Sequence, residues 1–462
     1  MNSKLYMYRL SIPMMVALLA TSCMKEFLDI KRDKSQVVPD RIEDLEAILL
    51  HSNMNSFTSH QLGETGADDY FVSDAQWQTI SNPSSKNGYI WADDVFSGMT
   101  SQDWNRGYEK ILYANFVMDG LQKLVENNRD SDSSIDRVRG MAHFYRGTNY
   151  FFLAQLFAPQ YVEDAASQMQ GLPLRTTSNI NIEVPRSNLL HTYELIESDL
   201  KKASVLLPKN TQFKTIPNST AAYAMLAILK LQRGEYEEGK KYADTALFSA
   251  PPLLNFNEVN YDAAVPFPSH GLENDEVIFS SNVSVPVSLS SSRINVDTLL
   301  LKAYDENDLR KKAYFTVNAG RTIFKGSYAG SNSLIFTGIT SAELLLIRAE
   351  CNARLNNLAQ AAKDLEELLK NRYANTVQIP HIPDNSKGEL LKFVLLERRK
   401  ELVFRGRRWQ DLRRFAQELA LSVTPRRKIE NVIYELKPGD LKWVWPIPPD
   451  VIQISGFEQN PR

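Results

Sequence analysis

The stretch YAMLAILKLQRGEYEEGKKYADTALFSAP, residues 223–251, decides the fold. Tyr223, Leu226 and Ala227 recur at the spacing of one helical face, and Gly239, Ala243 and Ala246 recur on a second one that ends at Pro251. Gly234-Glu-Tyr236 lies between them as a turn, so the segment reads as a helical hairpin. The order of large and small residues matches the tetratricopeptide (TPR) hairpin. Ala243 departs from it, being small where a bulky residue is usual.

A shift of 122 residues lays a second hairpin over the first, with Leu345 on Tyr223, Ala349 on Ala227, Ala361 on Gly239, Leu365 on Ala243 and Leu368 on Ala246. One hairpin cannot bury its apolar face alone, so both units are expected to stack with the preceding helices into one layer. Those helices are read at 41–50, along the stripe Trp104, Tyr108, Ile111, Leu112, Asn115 and Met118, and from Arg137 to Phe157. A further stripe runs from Leu189 through Tyr193, Ile196, Leu200 and Ala203 to Leu207, where Pro208 stops it. Later come helices at Leu390–Phe404 and Trp409–Leu419, then a proline-rich tail through Trp443, Trp445, Pro446 and Pro448. The expected fold class is mainly α, with TPR-like hairpins stacked in one layer beside a loop-rich, irregular, ligand-binding half. That half comes from 53–103, read as loops with short strands, and from the insertion 251–340, which carries Pro251, Pro252, Pro266, Pro268 and the serine-rich run Ser280 to Ser292. Long insertions in compact domains usually carry function.

At the N-terminus Lys4 and Arg9 precede an apolar run to Ala20, then Thr21, Ser22 and Cys23. This is the layout of a secretory signal. The apolar core of about ten residues falls short of the ~20 that span a bilayer. Small residues before a cysteine point to a lipoprotein signal over residues 1–22, with Cys23 acylated and residues 23–220 and 221–462 forming the N- and C-terminal parts of one globule. Acyl chains contribute about 0.8 kcal/mol per buried CH₂, enough for several chains to hold a soluble body on a membrane. The only other cysteine, Cys351, sits in an amphipathic stretch and reads as a small buried hydrophobe, which leaves no disulfide framework. Apolar content of 43%, charged content of 23% and a net charge of −2 describe a globular chain whose bulk charge selects no partner class.

Several segments together resemble the SusD/RagB-like outer-membrane lipoproteins of Bacteroidetes. Cys23-Met-Lys-Glu-Phe-Leu-Asp29 resembles the family's mature start, and Trp104-x₃-Tyr108-x₂-Ile111-x₂-Ala114-Asn115 its first hairpin. Arg146 to Phe157 with Gly171-Leu-Pro173-Leu, Glu343 to Glu350, Pro446-Ile-Pro448 and Gln459-Asn460-Pro461 follow in order. The most specific segment is Glu397-Arg-Arg-Lys-Glu401-Leu-x-Phe404-x-Gly406-x-Arg408-Trp409-x-Asp411-Leu-x-Arg414. The resemblance implies four TPR units and a lid-like protein on a SusC-like TonB-dependent barrel, anchored to the outer membrane by its N-terminal lipid. It implies a glycan ligand or, as in some members, a peptide.

The eight basic residues of the Glu397 to Arg414 run interleave with Glu397, Glu401 and Asp411 at ion-pairing spacing. A structural role is therefore expected, tying the last helices together, and no nucleic-acid partner. No H-E-x-x-H, G-x-S-x-G or phosphate loop occurs, so no enzyme and no cofactor are expected. Asp130-x-Asp132-x-Ser134 opens like a calcium loop, yet Ile135 and Met141 stand where glycine and glutamate belong, so no metal site is assigned. The paired carboxylates Asp68/Asp69 and Asp93/Asp94 leave a surface glycoside hydrolase as a rival class, and a TPR-type protein-interaction scaffold is another. Ligand contacts are expected at Asp69, Tyr70, Trp77, Tyr89 and Trp91, with Tyr304, Tyr314 and Arg310 approaching the same face. Aromatic faces suit sugar C–H surfaces, and carboxylates can fix hydroxyl groups. Asp308-Leu-Arg310 reads alternatively as a structural pair.

Overall fold

A computed structural model describes residues 39, 41–55, 60–126, 132–326 and 328–462. The signal segment 1–22, Cys23 and Asp130 lie outside the described residues.

Ten helices of eight residues or more occur among the described residues: α1 (Ile42–Leu50), α2 (Gln102–Glu126), α3 (Asp132–Phe157), α4 (Leu189–Leu206), α5 (Ser219–Arg233), α6 (Tyr236–Leu247), α7 (Ser341–Arg354), α8 (Leu358–Lys370), α9 (Lys387–Glu401) and α10 (Arg408–Phe415). From α2 to α8 each helix packs on the next, and α9 returns onto α7. With the shorter helices included, about 51% of the described residues are helical, the mainly α architecture expected.

The join between the two TPR-like hairpins has a simple physical basis. Gly234 ends α5 in the left-handed region at φ 77°, and Asn356, its equivalent between α7 and α8, takes φ 65°. Glycine and asparagine are the residues that enter this region at least cost, which lets each chain reverse at once. A Cβ on Gly239 of α6 would stand 3.1 Å from the Cys351 sulfur of α7, so the small residue sets how closely the hairpins approach. Cys351 is buried there, as read from the sequence.

Among the described residues short strands make antiparallel pairs: β1 (Tyr70–Phe71), β2 (Gln170–Pro173), β3 (Arg186–Asn188), β4 (Val277–Phe279), β5 (Asn282–Ser284), β6 (Asn295–Val296), β7 (Phe315–Asn318), β8 (Arg321–Phe324), β9 (Leu334–Phe336), β10 (Ile339–Thr340), β11 (Arg426–Ile429) and β12 (Val432–Glu435). They pair as β1–β6, β2–β3, β4–β10, β5–β9, β7–β8 and β11–β12. The segment 53–103 differs from the expectation, since it also holds short helices at Gln61–Gly66, Asp74–Gln78 and Pro83–Tyr89. Their signal is in the caps. Ser73 and Gln76 form a reciprocal capping box, and Asn82 caps a helix that begins with proline. Helices of five to seven residues are too short to display a period.

Apolar burial falls into three clusters: one along α1 to α6 and Trp409/Trp445, one inside the irregular half around Phe256, Tyr304 and Phe336, and one between α7, α8 and α9. Ions join them. Arg372, fully buried after α8, donates to Glu401 of α9 at 2.9 Å and to Glu276 of the insertion at 2.8 Å. Arg310 bridges Asp308, Glu397 and Glu401, so Asp308-Leu-Arg310 is a structural pair and Arg310 is not a ligand contact. Arg407 pairs with Glu343 of α7, Arg408 with Asp68, and Arg414 with Glu350 and Asp411. Burial alone would raise the Glu350 carboxyl, but Arg414 and Arg354 hold it down to about 2. The basic run thus has the structural role expected of it, and it reaches beyond the last helices into the irregular half.

Candidate functional site

Residues 68–91, proposed from sequence as an aromatic ligand platform, fold mostly inward. The Tyr70 hydroxyl donates to the Thr65 carbonyl and accepts from the Ser288 hydroxyl, each at 3.0 Å. The Tyr89 hydroxyl accepts from the Val72 N–H at 3.0 Å, and Trp91 Nε1 donates to the Gly66 carbonyl at 3.2 Å. Tyr70, Tyr89 and Trp91 are each no more than 2% exposed. Their rings do surround a cation, but it is the chain's own. The Arg427 guanidinium lies 4.8 Å from the Tyr70 ring, 4.1 Å from Tyr89 and 5.4 Å from Trp91. Cation–π attraction strengthens on desolvation, so these rings and Arg427 clamp hairpin β11–β12 to the segment 67–91.

Asp69 is also withdrawn from solvent, accepting from Arg399 Nε at 2.8 Å. Burial, reinforced by the adjacent Asp68 carboxylate and offset in part by Arg399, raises its carboxyl. Tyr304 is 2% exposed and donates to the Lys400 carbonyl at 2.7 Å, and Tyr314 is buried against Phe256 and Phe267. The expectation that Asp69, Tyr70, Tyr89, Trp91 and Tyr304 contact ligand is therefore corrected: all five are internal struts. Asp93 and Asp94 are exposed and stand apart from Asp68 and Asp69, Asp93 pairing with Lys442 at 2.8 Å.

Trp77 alone of the six residues keeps accessible surface. It sits in the short helix Asp74–Gln78, with Nε1 donating to the Lys86 carbonyl at 3.0 Å and the Lys86 ammonium 4.6 Å from the ring centroid. Around it runs a polar rim gathered from distant segments. Lys86 Nζ donates to Gln78 Oε1 at 3.3 Å, and the Gln78 amide donates to the Glu430 carboxylate. The Glu430 N–H in turn donates to Asp74 Oδ1 at 3.1 Å. On the other side the Asn295 amide reaches Gln76 Oε1 at 3.4 Å, and Arg293 Nε donates to Thr79 Oγ1 at 3.1 Å. Phe71, 42% exposed, pairs through its backbone with Asn295 and adds a second aromatic face beside the rim.

Lys86, Gln78, Arg293, Asn295 and Glu430 were not identifiable from sequence. Glu430 and Asn431 form the tip of β11–β12, both at positive φ as a two-residue hairpin turn requires. The alternation of that hairpin was the available signal, but nothing local ties it to Trp77. Chemically, the rim offers amide donors and acceptors, carboxylates and two cations around an indole, a set suited to fixing hydroxyl groups beside a stacked apolar face. Among the described residues no group of three or more His, Cys, Asp or Glu side chains could hold a metal ion.

Comparison with known proteins places this geometry in a family. Residues 304–461 match the SusD family, and residues 26–231 match a related model described as starch-binding, associating with the outer membrane. The chain belongs to the SusD/RagB-like family. A curated relative, SusD-like protein P2 of Formosa agariphila, is 24% identical over 387 residues, covering 71% of this chain and 74% of the relative. A SusD superfamily protein from Bacteroides thetaiotaomicron superposes with a TM-score of 0.70 at 21% identity, covering 91% of this chain and all of the other. A structure described as a putative sugar binding protein from Bacteroides vulgatus superposes at 0.72 with 21% identity, covering 92% and 99%. Both likenesses establish the shared fold.

Proposed function

We propose that this chain is a surface lipoprotein, anchored through acylated Cys23, that binds an oligosaccharide at the Trp77 rim and passes it to a SusC-like TonB-dependent transporter. The family supports the general role. The observation that carries the ligand assignment is a partly exposed indole framed by Gln76, Gln78, Asn295, Asp74 and Glu430, where an apolar ring face adjoins hydrogen-bonding groups of both polarities. Sugars present the same alternation of C–H faces and hydroxyls. No bond is made or broken in this role, and the chain acts by capture.

A peptide ligand is the rival within the same family. Calorimetric titration of the purified chain against neutral oligosaccharides and against short peptides separates the two. Saturable binding to an oligosaccharide alone supports the proposal, and saturable binding to peptides alone overturns the ligand class. Mass spectrometry of membrane-extracted protein tests the anchor, since an unprocessed N-terminus with a free Cys23 thiol contradicts it.

A further inference from the structure

Far from Trp77 in sequence, a cavity of about 470 Å³ opens where the end of α3, strands β2 and β3, the end of α10 and the C-terminal tail converge. Such a volume lies within the range of small-molecule sites. Its walls are largely apolar, with Pro159, Val162, Met169, Ala416, Leu441 and Trp443. Two arginines also line it. Arg413, 2% exposed, spends its terminal nitrogens on the carbonyls of Ala154, Gln155 and Ala158 at the end of α3. Arg186 donates to the Gly171 and Glu458 carbonyls and to Asn460 Oδ1 at 2.9–3.0 Å.

All six acceptors are neutral oxygens, so neither guanidinium charge is matched by a hydrogen-bonded carboxylate. Two carboxylates do line the cavity. Asp440 is half-buried and accepts from the Lys442 N–H at 2.9 Å, while Glu458 is exposed. Burial pushes the Arg413 guanidinium down to about 10, and of neighbouring groups only Tyr193 opposes it. Two polar atoms of buried lining side chains also lack partners: the Nε–H donor of Arg413 and the Oε1 acceptor of Gln160, whose amide nitrogen is fixed on the Gln232 carbonyl at 2.8 Å. A ligand acceptor can satisfy the Arg413 Nε–H and a ligand donor the Gln160 oxygen, so the cavity wall carries unused hydrogen-bonding capacity.

We propose that this cavity is a second binding site, taking a small amphipathic organic anion whose carboxylate or sulfonate sits by Arg413 and Arg186 and whose apolar body lies against Trp443, Met169 and Val162. The charge calls for an anion, and the walls call for an apolar body. Inorganic phosphate would satisfy the first requirement and not the second.

Titration with 8-anilinonaphthalene-1-sulfonate, read by its emission, tests this on the full mature chain. One dye is expected per chain, displaced by octanoate and not by octanol, which has the same chain length without the charge. Ala416→Trp fills the cavity and is expected to weaken dye binding about tenfold or more, a change of roughly 1.4 kcal/mol. Arg186→Gln is expected to weaken octanoate and leave the melting transition in place, whereas Trp77→Ala is expected to leave dye binding unchanged. Far-ultraviolet circular dichroism checks each variant, and Met169→Trp replaces Ala416→Trp if the latter does not fold. Absence of stoichiometric dye binding, equal displacement by octanol, or full binding in both cavity-filling variants overturns the proposal.

Discussion

Replacing Arg372 with methionine removes the ion that ties three parts of the chain together. Arg372 Nε and one terminal nitrogen contact both oxygens of Glu401, its second terminal nitrogen donates to the Leu254 carbonyl at 2.7 Å, and Glu276 accepts at 2.8 Å. The guanidinium also rests 4.3 Å from the Phe256 ring. Methionine fills similar volume and keeps apolar contact, so the loss is chiefly electrostatic. It strands Glu276, which retains the Leu254 N–H and the Tyr328 hydroxyl, and leaves Glu401 with Arg310 at 3.2 Å. Breaking a buried pair by removing one partner costs about 3–5 kcal/mol because the remaining charge is uncompensated. The orphaned Leu254 carbonyl adds about 1 kcal/mol. Arg372→Met is therefore expected to lose about 4 kcal/mol or more in urea unfolding, and Arg372→Lys, which keeps the charge without the planar fork, a smaller amount. A loss below about 1 kcal/mol at unchanged denaturant slope would refute the view that this lattice holds the insertion to the helical layer.

Two further variants probe the interior. Burial, and then the nearby Asp69 carboxylate, push the Glu64 carboxyl up from 4.5 to about 8. The unfolded chain releases that proton above about pH 4.5 and the folded chain only near pH 8, so stability falls between those values by roughly 1 kcal/mol per pH unit. Glu64→Gln removes this contribution and is expected to gain on the wild type as pH rises through the window. Parallel stability profiles would contradict it. At Gly66 an added Cβ would come within 2.7 Å of both the Trp409 and Trp445 rings, so Gly66→Ala is expected to destabilise by about 1–3 kcal/mol in thermal or urea melts.

The helical layer was legible because its information is local and repeated. Small and bulky residues recur at helical spacing through 223–251 and again through 345–368, and the Gly239–Cys351 approach joins a position that the repeat had marked to a cysteine read as a small buried hydrophobe. The site was less legible for a reason that the aromatic segment illustrates. Tyr70, Tyr89 and Trp91 look like a binding platform until Arg427, from a hairpin near the other end of the chain, is seen among them. Composition identifies a cage and cannot say what fills it. The same distance separates Trp77 from Glu430, the rim residue that no local pattern brings to it. In the Glu397 to Arg414 run, by contrast, alternating signs within a few residues already announced ion pairing, and only the reach to Asp68, Asp69 and Glu343 needed the fold.

Affinity electrophoresis of Trp77→Ala beside Trp91→Ala, in gels carrying the best-binding glycan from the oligosaccharide panel, tests the central claim most directly. Retardation is expected to vanish for Trp77→Ala at an unaltered melting temperature, while Trp91→Ala melts earlier and is still retarded wherever it remains folded. Full retardation of Trp77→Ala would contradict the assignment of sugar capture to this rim.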